Sequence, residues 1–173
     1  MNSNVLFEMA LSLDKPWLIE DVKFDHDKET KELHITINFD KKYKFIDQDN
    51  VECKVYDTKQ RTWQHLNFFE HKCYLHCNVA RIKNSKDKVT MVDVPWSRPN
   101  SGFTLLFEAF VMRLIESEMP INKIAKLMKV HPNSIWTIFN YWVKKSYAED
   151  NVENVTQLGI DETSSKKGHK YIT

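Results

Sequence analysis

The sequence predicts an α+β chain in two parts, a small α+β or mostly-β unit followed by an all-α unit, and three observations carry that prediction. Leu33, Ile35, Ile37 and Phe39 alternate with His34, Thr36 and Asn38, the period of two that marks a half-buried strand. At Pro95-Trp96-Ser97-Arg98-Pro99-Asn100-Ser101-Gly102, two prolines, a glycine and polar residues interrupt the pattern. Beyond that break, apolar residues return at helical spacing. The expected organisation is therefore a first unit over 1–95, a linker over 96–102, a helical unit over 103–148 and a last segment over 149–173.

The first twenty residues lack a basic leader region, and their short apolar run meets Asp14 without a cleavage-site pattern, so they do not read as a signal peptide. Residues 17–25 (WLIEDVKFD) and 31–40 flank a polar pentapeptide, which predicts a hairpin. Further strands are expected at Cys53–Tyr56 and Lys72–Val79. In the second of these, Cys73, Leu75, Cys77 and Val79 share one face, with Tyr74 and His76 on the other. After the linker, a helix runs from Leu105 to about Glu118 with Thr104 as its N-cap. Met119-Pro120 stops it, and Pro120 suits the first turn of a short helix from Ile121 to Met128. Lys129-Val130-His131 makes a turn, and Pro132 opens a longer helix reaching about Ala148. A polar link near 151–156 precedes a strand over 157–162, then a basic turn and a second strand over 171–173.

With 42% hydrophobic and 12% aromatic residues, the chain has the bulk for a core, which excludes wholesale disorder. No apolar run approaches the ~18 residues of a membrane span. Three cysteines, an odd number with no export signal, fit a reducing cytoplasm better than a disulfide framework. The net charge of +1 conceals an asymmetry. Residues 1–40 carry −5, residues 41–98 carry +5, residues 99–148 carry +3 and residues 149–173 carry −2. An acidic head and a basic middle permit a nucleic-acid partner that the overall balance hides.

Two short helices joined by a tight turn, with a third helix before them, have the pattern of a helix-turn-helix unit. Ile124, Ala125 and Met128 give the first helix an apolar face, and small Ala125 suits a close helix crossing. Val130 can plug the turn. Ile135, Ile138, Phe139 and Trp142 form the buried stripe of the second helix. The other face offers Asn133, Ser134, Trp136, Thr137, Asn140, Tyr141 and Lys144, flanked by His131 and Lys145. Such side chains can meet bases near the helix N-terminus and phosphates further along. Spacing alone leaves a second reading open, a plain three-helix unit whose polar face is merely solvated. Lys129 also stands at the turn position where glycine often supplies a positive φ.

Cys53, Cys73 and Cys77, with His65 and His76, invite a zinc proposal, but there is no C-x₂-C pair, and Cys73 and Cys77 lie apart along one apolar strand face. Buried structural cysteines are the more economical reading, and no metal is assigned. His65 and His71 are read as polar partners or phosphate contacts. Asp161-Glu162 is the one candidate carboxylate site. Neighbours in a strand point to opposite faces, so the pair cannot line one metal site together.

Several stretches resemble a known family. Cys53-Lys-Val-Tyr-Asp-Thr, Arg61-Thr-Trp-Gln-His-Leu-Asn-Phe-Phe-Glu-His, Val94-Pro-Trp-Ser-Arg and Ser101-Gly-Phe-Thr-Leu-Leu-Phe-Glu-Ala-Phe are similar to the N-terminal half of insertion-sequence transposases of the ISL-three family. Leu158-Gly-Ile-Asp-Glu-Thr-Ser and Lys167-Gly-His-Lys-Tyr-Ile-Thr resemble the opening of that family's catalytic domain. The resemblance implies a zinc-ribbon-like DNA-binding module, a helix-turn-helix, and then a ribonuclease-H-like domain. That last domain uses an Asp-Asp-Glu set and a divalent metal such as Mg to cut and join DNA at terminal inverted repeats. Asp161 corresponds to the first acid of the set, and the later two have no counterpart in these residues.

Read through the resemblance, this is a truncated transposase, or an N-terminal part of one, that binds double-stranded DNA without complete strand-transfer chemistry. Full-length enzyme or a second copy is a further candidate partner. The alternative is a subunit or form of an active enzyme completed by residues beyond Thr173, or a regulatory remnant. The family's cysteine pairs are replaced here by Phe45-Ile-Asp-Gln-Asp-Asn and by Asn84-Ser-Lys-Asp, so zinc is not expected. The module would fold instead by packing Trp63, Phe68, Phe69 and Tyr74, or be weakened. Arg61, Arg81 and Arg98 are the first candidates for phosphate contact, since arginine can bind phosphate in a bidentate manner. Arg98 could also track a minor groove as part of a linker arm.

Overall fold

The computed structural model describes residues 3–25, 31–84, 86–149, 163–166 and 170–172. Helix α1 (Ser3–Ala10) lies against strand β1 (Trp17–Asp25), which pairs antiparallel with β2 (Glu32–Phe39). A bulge between Ile19 and Asp21 interrupts the ladder, and Glu8 on α1 accepts the Ile19 N–H at 2.9 Å. The N-terminal helix was not expected from the sequence, because eight residues with no cap pattern give little local signal.

The predicted β1–β2 pair is present in the expected register of faces: Leu33, Ile35, Ile37 and Phe39 are all buried. A two-strand ladder follows, β3 (Phe45–Ile46) with β4 (Glu52–Cys53). The strand expected at 72–79 is present within β6 (His71–Lys83), whereas the one expected at 53–56 is corrected: those residues are divided between β4 and a long strand, β5 (Val55–Phe68), which forms a hairpin with β6. The sheet order is β1-β2-β6-β5. Strand β7 (Val89–Met91) adds to β6 beyond the part that pairs parallel with β2. As the central strand, β6 buries Cys73, Leu75, Cys77 and Val79 on one face, as its alternation predicted, and leaves Tyr74 and His76 on the other.

Packing in this unit centres on tryptophan. Trp96 sits edge-on to Trp17 and Trp63, at 5.0 and 5.6 Å between ring centroids, and all three are buried. Of the four aromatics expected to hold the module together, Trp63 does so. Phe68 is partly exposed but sets its ring against Phe7 and Phe24, Phe69 is 86% exposed at the hairpin tip, and Tyr74 is on the outer sheet face.

The helical unit follows its prediction closely. Helix α2 (Leu105–Glu116) has Thr104 as N-cap, whose hydroxyl oxygen accepts the Phe107 N–H. Helix α3 (Ile121–Met128) begins after Pro120, which is the N-cap rather than a first-turn residue, and α4 (Pro132–Glu149) follows. Lys129 between them has φ 55° and ψ 44°. The left-handed conformation that the turn requires is thus present on a lysine. Phe107, Val111, Ile124, Ala125, Met128, Ile135 and Ile138 form the second core, with Val130, Trp142 and Leu66 of β5 against it.

Segment 96–102 is the junction between the two cores: Trp96, Ser97 and Ser101 are buried, while Pro99, Asn100 and Gly102 are exposed. Residues 163–166 (β8) pair with 170–172 (β9) as an antiparallel hairpin. The strand expected over 157–162 lies outside the described residues. No helix among the described residues is long and apolar enough to cross a membrane.

Candidate nucleic-acid interface

Helix α4 divides its residues between two faces as its spacing demands. Ile135 and Ile138 are fully buried, and Phe139 and Trp142 are half-buried. His131, Asn133, Trp136, Thr137, Asn140, Tyr141, Lys144 and Lys145 are exposed, and Ser134 is half-buried. All nine candidate residues of this segment therefore lie along one helix and its first turn.

The local bonding shows which groups remain for a ligand. His131 Nδ1 accepts the Asn133 N–H at 3.2 Å and its carbonyl accepts the Ser134 N–H at 2.9 Å, so His131 caps α4. This satisfies donors that an open helix start would leave unpaired. Thr137 donates its hydroxyl proton to the Asn133 carbonyl at 2.8 Å, so its oxygen is left as an acceptor. Lys145 reaches Glu149 at 3.8 Å and lies over the Trp142 ring at 5.3 Å. Trp136 is 48% exposed, an apolar surface large enough to contact a thymine methyl or sugar.

The three arginines are placed differently. Arg61 donates to the Ser101 carbonyl at 3.4 Å and lies beside the Trp63 ring. Arg81 forms a bidentate pair with Asp57, and the guanidinium holds that carboxyl below its usual range. Arg98 donates Nε–H to Glu108 at 2.9 Å and stacks its guanidinium 3.8 Å over the Tyr141 ring.

Glu108 was missed by the sequence reading. It is fully buried on α2, accepts from Ser101 Oγ at 2.6 Å and from Trp142 Nε1 at 2.8 Å, and pairs with Arg98. The available signal was an acid inside the apolar run Leu105–Ile115, flanked by Phe107 and Val111. His65 is a second junction residue, with Nδ1 2.8 Å from Thr104 Oγ1, and burial lowers its pKa to about 4.

The three cysteines are free and buried. Burial pushes Cys73 and Cys77 up to about 12, and it raises Cys53 as well, with Asp47 adding to the effect. Zinc binds thiolate, and four residues along a strand separate Cys73 from Cys77 by ~13 Å. Among the described residues no group of three or more His, Cys, Asp or Glu is disposed to hold a metal ion. Asp161 lies outside the described residues.

Three helices around one core, with a tight turn between the second and third and a solvent-facing side on the third, define the class by architecture: a helix-turn-helix unit. Comparison with known proteins agrees. Residues 92–143 match the family model described as the helix-turn-helix domain of transposase family ISL3. The chain is 25% identical over 174 aligned positions to the transposase for insertion sequence element IS1557 of Mycobacterium tuberculosis, in strain CDC 1551 / Oshkosh and equally in strain ATCC 25618 / H37Rv. That alignment covers 97% of this chain and 39% of the relatives, so the chain spans about two-fifths of their length. No solved structure matches it. The resemblance read from the sequence, to insertion-sequence transposases of the ISL-three family, stands.

Proposed function

We propose that this chain is a DNA-reading portion of an insertion-sequence transposase, and that α4 lies in a major groove. The observation that carries the reading is the exposed, largely polar side of α4, opposite the Ile135 and Ile138 that the core of the unit buries. Asn133 and Ser134 stand nearest the bases, with the Thr137 oxygen as a further acceptor. Lys144 and Lys145 lie about 15–18 Å further along the helix axis, at phosphates.

The inverted repeats at the ends of an insertion sequence are the proposed target, as the resemblance implies. Asp161 is the proposed counterpart of the first acid that the family uses for strand transfer. Arg61 is a candidate phosphate contact beside the junction, whereas Arg81 and Arg98 already hold carboxylates.

The test begins with selection of a preferred duplex from a random-core library, followed by titration of that duplex and a scrambled one over a salt series. Lys144→Ala should weaken both and reduce the salt slope by about 0.9, the value for one phosphate contact. Asn133→Ala should chiefly reduce the preference, by roughly ten-fold for one base pair's readout. Equal effects of the two changes on both duplexes would refute the placement of α4. Magnesium-dependent nicking by this chain, lost in Asp161→Ala, would favour the active-enzyme reading instead.

A further inference from the structure

We infer that Glu108 is a positioning residue for DNA reading: it locks the proposed recognition helix to the β-sheet unit, so that the two meet DNA as one body. The inference rests on the reading of α4 above, but it concerns a residue that touches no DNA.

One buried carboxylate gathers three segments. Its Oε2 accepts from Arg98 Nε at 2.9 Å and from Trp142 Nε1 at 2.8 Å, and its Oε1 accepts from Ser101 Oγ at 2.6 Å. Trp142 belongs to α4, Glu108 to α2, and Arg98 and Ser101 to the junction that follows the sheet. Arg98 then closes the arrangement by lying 3.8 Å over Tyr141, the residue next to Trp142 on α4. Two successive residues of the proposed recognition helix are therefore held by the same carboxylate, one directly and one through Arg98.

The junction is in turn bonded to the sheet. Gln64 N–H donates to Gly102 O at 2.9 Å, Thr104 N–H donates to Gln64 O at 3.1 Å, and Arg61 of β5 donates to Ser101 O at 3.4 Å. Trp96, at the start of the junction, is embedded in the sheet's aromatic core, and its carbonyl accepts the Leu105 N–H at 2.8 Å. A rotation or slide of α4 against the sheet has to break bonds to Glu108. With Arg98 only 13% exposed at its side chain and Glu108 fully buried, water does not readily replace them.

The charge of Glu108 matters as well as its shape. A glutamine can keep an oxygen toward Arg98 and Trp142, yet it leaves the Arg98 cation without its counter-charge in a nearly closed site. Base reading tolerates little misplacement, whereas attraction to the phosphate backbone tolerates much. Loosening α4 should therefore reduce sequence preference and spare non-specific binding.

The experiment compares wild-type chain with Glu108→Gln on the selected and scrambled duplexes, at matched salt, after circular dichroism has confirmed folding. Glu108→Gln should lower the preference for the selected duplex by roughly ten-fold or more, the size of one lost base-pair readout. Scrambled-duplex affinity and salt slope should stay within about two-fold of wild type. Adding Asn133→Ala to Glu108→Gln should cost much less preference than it does alone, because its contact is already lost.

If Glu108→Gln does not fold, Trp142→Phe, which keeps the ring and removes the donor, is measured in its place with the same expectations. A folded variant that keeps the wild-type preference, or one that loses affinity for both duplexes equally, overturns the inference and leaves the DNA-reading proposal intact. A wild-type chain with no preferred duplex overturns that proposal and this inference with it.

Discussion

Acidifying the chain from about pH 7.5 to about pH 5 protonates the junction histidine His65 in the unfolded chain but not in the folded one, and the structure fixes the sign of the effect. His65 Nδ1 lies 2.8 Å from Thr104 Oγ1, and the same hydroxyl oxygen accepts the Phe107 N–H at the start of α2. With the ring neutral, Thr104 can donate its proton to Nδ1 while its oxygen caps the helix. Burial lowers the His65 pKa from 6.5 to about 4, because an imidazolium loses hydration there that nothing returns. Between those two values the unfolded chain binds a proton that the folded chain refuses. Stability from this residue is therefore complete above about 6.5 and is lost as pH falls toward 4. At about pH 5 the loss relative to pH 7.5 comes to about 2 kcal/mol, and it levels off near 3 kcal/mol below pH 4.

Urea unfolding followed by tryptophan fluorescence, at steps between pH 7.5 and 5, measures this. Other groups contribute to the raw curve, including His76, lowered by its burial and then by His34. Subtracting a His65→Gln series removes them, since glutamine does not titrate. The wild-type stability minus that of the variant should fall by about 2 kcal/mol over the range. A difference that stays flat within ~0.5 kcal/mol would refute the argument, because it would mean that His65 is as well hydrated in the folded chain as in the unfolded one.

Lys129→Gly should raise stability by about 0.5 kcal/mol: relief of a left-handed conformation on a side-chain-bearing residue outweighs the added freedom of glycine in the unfolded chain. A lowered unfolding midpoint would contradict this. Trp96→Phe should cost about 2 kcal/mol through the space it leaves between Trp17 and Trp63, with nothing added by Nε1, which has no hydrogen-bond partner among the described residues. Trp142→Phe should cost about 2 kcal/mol, since its Nε1 donates to the Glu108 carboxylate. Urea unfolding of each variant checks the pair, and a cost below ~0.5 kcal/mol for either would contradict the packing of Trp96 or the Trp142–Glu108 bond respectively.

The helical half of the chain was legible because its signals are local. Thr104, Pro120 and Pro132 mark helix starts within one turn, and the stripe through Ile135, Ile138 and Trp142 repeats inside a single element. The sheet was legible only where one face is dry. β2 and β6 alternate because one side of each is buried, whereas β5, at the sheet edge, buries only Trp63 fully and shows no period of two. Its turn also hides itself. Phe69-Glu70 joins β5 to β6 with no glycine or asparagine, and Phe69 itself takes φ 52°. No turn rule would choose a phenylalanine there.

The same division runs through the interface. The exposed side of α4 follows from spacing within one helix, but the partners of each charge do not. Residues 41–98 carry an excess of cations, yet the structure sets Arg81 against Asp57, Lys44 against Glu52, Lys83 against Asp87 and Lys86 against Asp49. Arg98 pairs with an acid ten residues further along, and that acid in turn holds a tryptophan 34 residues beyond it. An arginine in a basic block is a phosphate contact only if its own fold has left it one to make. Sequence arithmetic counts Arg98 and Lys144 alike. The packing separates them: Lys144 stands exposed on the proposed recognition helix, while Arg98 is used to hold that helix in place. Sequence preference should accordingly respond to residues at the junction, and the salt dependence of binding to the lysines along α4.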